Sequence, residues 1–401
     1  MSHDLPSSCD VIVVGARCAG AATALLLARS NLRVVVVERG RYGTDTLSTH
    51  ALMRPAVTQL HRWGVLPAVI GAGTPPIQHV SFRYGPEVIS FPIKPRDGVE
   101  ALYAPRRALL DRLLVDAARN AGAIVVYETR VSELLRAGDG RVHGVLLATA
   151  GGEARAVDAP LVVGADGLRS TIAQLVGAEV YRAGRHATGV VYAYWSGLDV
   201  HEYRWCFGPG VAVGVIPTND GRTCVFAAAS AQRFLEEMRH DVDRGYRRVL
   251  AECDPDLAAA LGPARRDGNY HGFPGQAGFF RRSAGPGWAL VGDAGYFKDP
   301  LTAHGITDAF RDAELLARAI GGGREDGLAG YEAARDEAAG PIFELTDQIA
   351  SLGADMEELK VKHRLLNEEM AREARAVASF GDVIPAGPAS PPAPPPQAAS
   401  R

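Results

Sequence analysis

The stretch DVIVVGARCAGAATALLLARSNLRVVVVERG, Asp10–Gly40, decides the fold. Asp10–Val14 is a short continuous apolar run, the pattern of a parallel strand buried on both faces. It breaks at Gly15, and the Ala/Leu-rich Ala19–Arg29 that follows reads as a helix. Arg33–Glu38 is a second buried strand. The three form one βαβ unit opened by a tight glycine turn.

Gly15-Ala16-Arg17-Cys18-Ala19-Gly20 fills the GxGxxG spacing with Arg17 in the middle-glycine position. The first glycine permits the bend and the last permits close helix–strand packing. The helix start offers free N–H groups and a partial positive charge to phosphates, and Arg17 adds a cation beside them. Glu38, with Arg39 after it, ends the second strand about 20 residues on, where an acidic side chain accepts bonds from a ribose diol. A carboxylate there repels a 2′-phosphate. The bound nucleotide is therefore expected to carry a free diol, which leaves FAD and NAD.

Outward from this unit, α/β segments recur in three separate pieces. Arg106–Gly122 reads as an amphipathic helix before a strand at Ala123–Tyr127, and Val142–Thr149 as part of an antiparallel meander. Leu161–Val163 runs into Gly164-Ala165-Asp166-Gly167, and Ala289–Val291 into Gly292-Asp293. A helix is expected from Gly305 to about Ile320. Between these pieces lie strand-like segments: a hairpin over Val80–Ile93, and Val/Tyr/Trp/Phe-rich strands over Thr188–Ser230, turning at Gly208-Pro209-Gly210 and Asn219-Asp220-Gly221. One charged helix is expected over about Ala231–Leu261, and helical pattern over Tyr331–Phe380 with a break at Gly340-Pro341.

The fold class expected is α/β: a discontinuous Rossmann-type, glutathione reductase-like dinucleotide-binding domain (1–75, 101–180 and 268–340). An inserted β-sheet substrate domain (76–100 and 181–267), C-terminal helices (341–383) and a disordered Pro/Ala-rich tail (384–401) complete it.

Three motifs at strand ends carry a resemblance. Gly15–Gly20, the GADGLRS of Gly164–Ser170, and Gly292-Asp293-Ala294 with Pro300 and Gly305 downstream resemble the class A flavoprotein monooxygenase family, the p-hydroxybenzoate hydroxylase-like fold. The resemblance covers roughly Asp10–Ile320. It implies FAD and makes the discontinuous domain an FAD-binding domain, with Asp293 on the ribitol chain, Asp166 and Gly167 near the pyrophosphate, and Arg107 contacting the cofactor from its helix. Pro300–Gly305, including Ala303, and then Ile306 would wrap the pyrimidine edge of the flavin. Independently of the family, a helix starting at Gly305 points its dipole at whatever precedes it, and reduced flavin is negative on that edge. The family usually has glycine where Ala303 stands and asparagine near Thr307, so this segment is a variant. The WxWxIP segment of halogenase relatives is missing; YAYWSGL, Tyr192–Leu198, is the nearest string.

The resemblance further implies that NAD(P)H visits transiently and leaves, after which O2 forms a C4a-hydroperoxyflavin that hydroxylates an aromatic or polyketide-like molecule. Such chemistry needs no metal and no catalytic triad, and the sequence has no motif for either. Gly208–Gly214 has the wrong spacing for a second dinucleotide fingerprint and reads as a turn. Tyr192 and Tyr194, and Tyr203, Trp205 and Phe207, alternate along their strands, so each set lies on one sheet face. They are candidates for a substrate pocket or for ordinary core. His50 and His304 are the catalytic candidates, able to orient a phenol or carry its proton because a histidine pKa lies near neutrality; a structural role for each stays open. Lys298 and Asp299 read as a loop ion pair or an NAD(P)H contact, and Arg281 and Arg282 as solvated.

Composition narrows the partners. The 401 residues are 47% apolar and 22% charged with net charge −3, which suits a globular protein and gives no electrostatic footprint for nucleic acid or an anionic membrane. Five scattered cysteines form no CxxC, disulfide framework or zinc module. No run approaches the ~20 apolar residues of a membrane helix, and the N-terminus lacks a signal-peptide pattern. A cytoplasmic monomer or homodimer acting on a small molecule is expected. A flavin-dependent double-bond reductase resembling geranylgeranyl reductases, and a non-catalytic flavoprotein that shields an intermediate, are the alternatives.

Overall fold

A computed structural model describes residues 5–149, 154–321 and 327–381. The tail expected to be disordered lies outside the described residues.

A six-stranded sheet runs in the order Ala284–Gly285, Trp288–Leu290, Leu161–Gly164, Val11–Val14, Val34–Val37, Ile124–Val126. All its pairings are parallel except the antiparallel pair at Ala284–Gly285. Its strands are apolar throughout because both faces are covered. Val11, Val13, Val34 and Val36 pack under the helices Cys18–Arg29, Arg107–Asn120 and Gly305–Gly321. Ile12, Val14, Val35 and Val37 face the antiparallel meander Thr129–Arg136, Val142–Thr149, Ala154–Asp158. This helix–sheet–meander sandwich is the glutathione reductase-like arrangement expected from Asp10–Gly40.

The second body is a seven-stranded sheet in the order Arg265–Phe273, Thr188–Ser196, Arg222–Ser230, Val211–Thr218, Tyr203–Gly208, His79–Tyr84, Glu87–Pro92. Alternation decides what each face meets. Tyr192, Tyr194, Tyr203, Trp205, Phe207 and Phe226 share a core with the helices of the dinucleotide fold, whereas Val191, Trp195, Val213, Val225 and Ala227 pack under the helix Val242–Cys253. The expected boundary at 267 falls inside the strand Arg265–Phe273, which pairs with Thr188–Ser196 and so belongs to this sheet.

Two helix expectations need correcting. Ala231–Leu261 is not one helix: a π turn at Phe234–Met238 precedes separate helices Val242–Cys253 and Pro255–Ala260. Asp241 and Asp254 cap these by accepting from Arg244 N and Leu257 N, and Pro255 opens the second. Further on, Pro341 does not break the chain. Gly327–Ala350 is continuous through it, and the break comes at Ser351–Asp355, where Leu352 is left-handed (φ 52°) and Asp355 caps Met356–Ser379.

Gly20 shows how tightly the first unit is built. A Cβ there would lie 1.8 Å from the Gly15 carbonyl oxygen, a backbone atom that cannot step aside. Gly20→Ala is expected to cost about 3 kcal/mol in urea unfolding, at the upper end of overpacking penalties. Gly71→Ala, where a Cβ meets nothing within 4 Å, is expected to stay within about 0.5 kcal/mol. Equal midpoints for the two variants would contradict this packing.

Candidate active site

The three strand-end motifs meet in space. Val14 and Leu290 both register against Gly164, and the joints are closed by Ala165 N donating to the Val14 carbonyl (2.8 Å) and Val291 N to the Gly164 carbonyl (2.9 Å). Gly15 has φ +104°, and a Cβ on it would sit 2.5 Å from the Ala165 carbonyl oxygen. A Cβ on Gly292 would lie 3.1 Å from that of Ala19. Fingerprint turn, GADG segment and GDA segment are thus one surface.

Glu38 is nearly buried at its rim. Its Oε2 accepts from Ala16 N (2.8 Å) and its Oε1 from Gly40 N (2.6 Å), which ties the acidic residue to the fingerprint turn. A cleft beside it is lined by Ala16, Arg17, Glu38, Arg41, Arg112 and Tyr127, a set with carboxylate, cations and an aromatic ring suited to adenosine and phosphate. Arg39 is exposed. Arg107 is bonded to Asp111 through Nε and Nη2 (both 3.1 Å), and the Cys18 thiol donates to the same carboxylate. Asp166 accepts from Ser170 Oγ (2.5 Å) and Thr171 N (2.6 Å), bracing the start of the short helix Thr171–Leu175, whose N-cap is Ser170, while Gly167 follows in a left-handed turn.

At the third strand end, burial and the neighbouring charge of Asp308 push the Asp293 carboxyl up to about 6, against the opposing pull of Arg107 and Lys298. Pro300–Thr302 forms a 3-10 turn, Ala303 is left-handed (φ 51°, ψ 36°), and the helix Gly305–Gly321 begins two residues later with Ile306 in its first turn. Where the family has glycine this chain holds alanine in a glycine-favouring conformation, at a cost of about 1–2 kcal/mol. Lys298 and Asp299 do not pair with each other. Lys298 donates to Asp308, and Asp299 accepts from Thr188 N and Oγ1 (both 2.7 Å) and Leu301 N (2.9 Å), fastening the turn to the seven-stranded sheet. Nor is Arg281 simply solvated: its Nη1 donates to the Ala294 carbonyl (3.0 Å). Arg282 is exposed and pairs with Glu332.

His50 is fully buried in a left-handed conformation (φ 68°) and its Nε2 bonds Tyr194 Oη. Burial and the cations Arg106 and Arg107 push its pKa down to about 3, despite Asp45. It is therefore a neutral hydrogen-bonding group at pH 7, not the near-neutral base expected from an unperturbed histidine. Around it, Ser48 N donates to Tyr192 Oη (3.1 Å), His271 stacks on Tyr192 (4.8 Å), and Arg106 lies 3.9 Å over the Tyr194 ring while pairing with Asp45 (2.5 Å). The Tyr203 hydroxyl lies near the Leu52 backbone, two residues on from His50, whereas Trp205 and Phe207 share the face but not the neighbourhood. Two strands intervene, a separation of about 14 Å at ~4.8 Å per strand spacing, and Phe207 is covered by His363 of the C-terminal helix (4.4 Å).

Sequence reading missed Arg106, Asp45 and His271, and it missed Glu373. The last lies on the helix Met356–Ser379, and its carboxylate bonds His304 Nε2 (2.5 Å) and Arg311 Nη1 (2.8 Å). Arg106 was legible beside Arg107 in YAPRRALL. Glu373 carried no local signal.

These residues fit FAD. Arg17 Nη1, His50 Nδ1, His304 Nδ1 and Thr307 Oγ1 are buried with no hydrogen-bond partner among the described residues, and each such donor or acceptor costs about 1–3 kcal/mol unless a ligand satisfies it. A Cβ on Gly305 or on Gly167 would meet no protein atom within 4 Å. With FAD bound, Asp293 would accept from a sugar hydroxyl, and that bond would favour its ionised form. FAD affinity is accordingly expected to weaken as pH falls through about 6. In flavin-fluorescence titrations Asp293→Asn should bind more weakly and lose that slope. An unchanged slope in the variant would assign the pH dependence elsewhere.

Comparison with known proteins agrees with this geometry. The chain is 28% identical to a menaquinone reductase of Mycolicibacterium smegmatis over 347 residues, covering 81% of this chain and 78% of that one. It is 27% identical to a digeranylgeranylglycerophospholipid reductase of Methanothrix thermoacetophila over 355 residues, covering 83% and 84%. The crystal structure of PqsL, a probable FAD-dependent monooxygenase from Pseudomonas aeruginosa, superposes with a TM-score of 0.75 at 22% identity, over 89% of this chain and all of that one, a likeness of fold. Residues 8–346 match the FAD binding domain family, and the chain belongs to it as an FAD-dependent oxidoreductase of the class A flavoprotein type.

Proposed function

We propose that this protein is a monooxygenase that takes electrons from NAD(P)H through FAD and uses O2 to hydroxylate an aromatic or polyketide-like molecule. The observation that carries the reading is the polar aromatic wall of Tyr192, Tyr194, His50, His271 and Arg106 on the sheet face packed against the dinucleotide fold. Tyrosine hydroxyls, a neutral imidazole and a guanidinium suit a flat molecule bearing phenol, enol or carbonyl oxygens. A prenyl chain would offer no partner to His50 Nδ1 and Arg106 Nε, which are buried without one, at about 1–3 kcal/mol each.

Bound FAD supplies hydride acceptance and oxygen activation. The chain's own residues do the rest. Glu38 and Arg17 hold the adenosine and phosphate end, Asp293 the ribitol, and the Pro300–Gly305 turn with its helix dipole the ring. Arg106, kept in place by Asp45, and the Tyr194–His50 pair would orient the substrate oxygen, and the closed aromatic face excludes water. His50 acts here as a hydrogen-bonding partner of Tyr194. The proposed pocket lies at the Tyr192 and Tyr194 end, while Phe207 packs against His363 of the C-terminal helix.

A second reading, reduction of a carbon–carbon double bond without oxygen, is supported by the reductases among the relatives. Oxygen separates the two. For a phenolic or enolic compound that stimulates NADH or NADPH oxidation, oxygenated product forms only in air under the first reading. A reduced product formed anaerobically would establish the second. Tyr194→Phe, with FAD retained, is expected to lower kcat/KM at least tenfold, about 1.4 kcal/mol; an unchanged value would remove Tyr194 from the substrate site.

A further inference from the structure

Behind the flavin turn lies a buried cluster that the proposed reaction does not by itself require. Lys298 and Asp308 pair, Arg311 bonds Asp308 (2.7 Å), Asp312 (2.8 Å) and Glu373 (2.8 Å), and Glu373 bonds His304 Nε2 (2.5 Å). Each of these six residues is at most 5% exposed. Tyr296 lies against it, with Arg311 5.7 Å and Lys298 5.3 Å from its ring centroid, and Asp293 adjoins Asp308.

Charge balance singles out His304. Two fixed cations, Lys298 and Arg311, face three carboxylates, Asp308, Asp312 and Glu373; the buried Arg335 also acts on Asp312 but is itself paired with Asp336, and Asp293 adds a further carboxyl beside Asp308. An uncompensated buried charge costs several kcal/mol, and a proton on His304 supplies the missing positive charge. His304, Asp308 and Glu373 also lie close enough to one another to ligate a metal ion, but Lys298 and Arg311 already occupy their carboxylates. With Nε2 committed to Glu373, His304 Nδ1 is left buried and without a protein partner, one residue before the helix Gly305–Gly321.

We propose that Glu373 is a positioning residue: from the C-terminal helix it fixes His304 as a cation whose Nδ1–H is the donor available to bound flavin. Flavin takes up two electrons and one proton to reach its anionic reduced form, both supplied by the nicotinamide reductant. A cation held beside it favours that form over the neutral oxidised ring. Through this contact the last helix takes part in setting the reduction potential. The inference rests on FAD being seated at this turn, and not on whether hydroxylation or double-bond reduction follows.

The test is the reduction potential of bound flavin, measured on the FAD-loaded full chain. Wild-type protein that does not hold FAD would defeat the cofactor assignment itself, a failure distinct from that of this proposal. In Glu373→Gln, which keeps the shape and removes the charge, the two-electron reduction equilibrium is expected to fall at least tenfold, about 30 mV more negative. His304→Gln should give the same shift, and adding Glu373→Gln to it should give no further shift, because the carboxylate acts through the imidazole. An unchanged potential in Glu373→Gln, or an equal further shift in the His304→Gln background, would overturn the proposal. Should Glu373→Gln fail to fold or to retain FAD, His304→Gln alone decides: an unchanged potential there overturns it.

Discussion

The rest of the structure depends on three parallel strand ends lying side by side. Val14, Gly164 and Leu290 are in register, and each runs directly into a turn whose backbone touches the next. Small residues make that approach possible. Gly15 against the Ala165 carbonyl and Gly20 against the Gly15 carbonyl leave no room for a larger side chain, and a Cβ on left-handed Gly292 would crowd Ala19. The ends of the strands therefore present backbone N–H groups and two carboxylates, Glu38 and Asp293, on one continuous surface. Under the proposed function, a dinucleotide stretched across it would meet Glu38, the helix start and Asp293 in order.

Function needs a second surface, and the seven-stranded sheet supplies it. Two fastenings hold the bodies together at the site. Asp299 joins the flavin turn to Thr188 by accepting two hydrogen bonds from that residue, and the C-terminal helix reaches His304 through Glu373. Arg62 secures that helix by donating to the Val377 and Phe380 carbonyls (2.7 and 2.8 Å). Two of the seven non-glycine residues in left-handed conformations among the described residues, His50 and Ala303, lie beside these contacts. Such outliers persist where surrounding contacts over-determine them, and binding sites are where they gather.

Local pattern carried most of the fold. Buried parallel strands read as unbroken valine runs, and the sheet strands alternate, so both periods were visible in Asp10–Glu38 and Thr188–Ser230. The misjudged places were decided by tertiary contacts. Pro341 sits inside a continuous helix, and the strand Arg265–Phe273 reads as polar because it lies at the edge of its sheet. The site divides the same way. Glycines and the acidic residues of the strand-end motifs have fixed spacing and were legible. The partners of His50 and His304 come from positions 144 and 69 residues away, and no spacing rule reaches that far. Even the protonation of His50 was set from outside, by burial and by Arg106 and Arg107.

The most direct test of the account is rapid mixing of the anaerobically reduced, FAD-loaded protein with oxygenated buffer, followed by absorbance with and without phenolic compounds. The account predicts a transient near-ultraviolet species, distinct from oxidised and reduced flavin, whose decay quickens with a substrate. A slow, single-step return to the oxidised spectrum across a broad compound panel would contradict it.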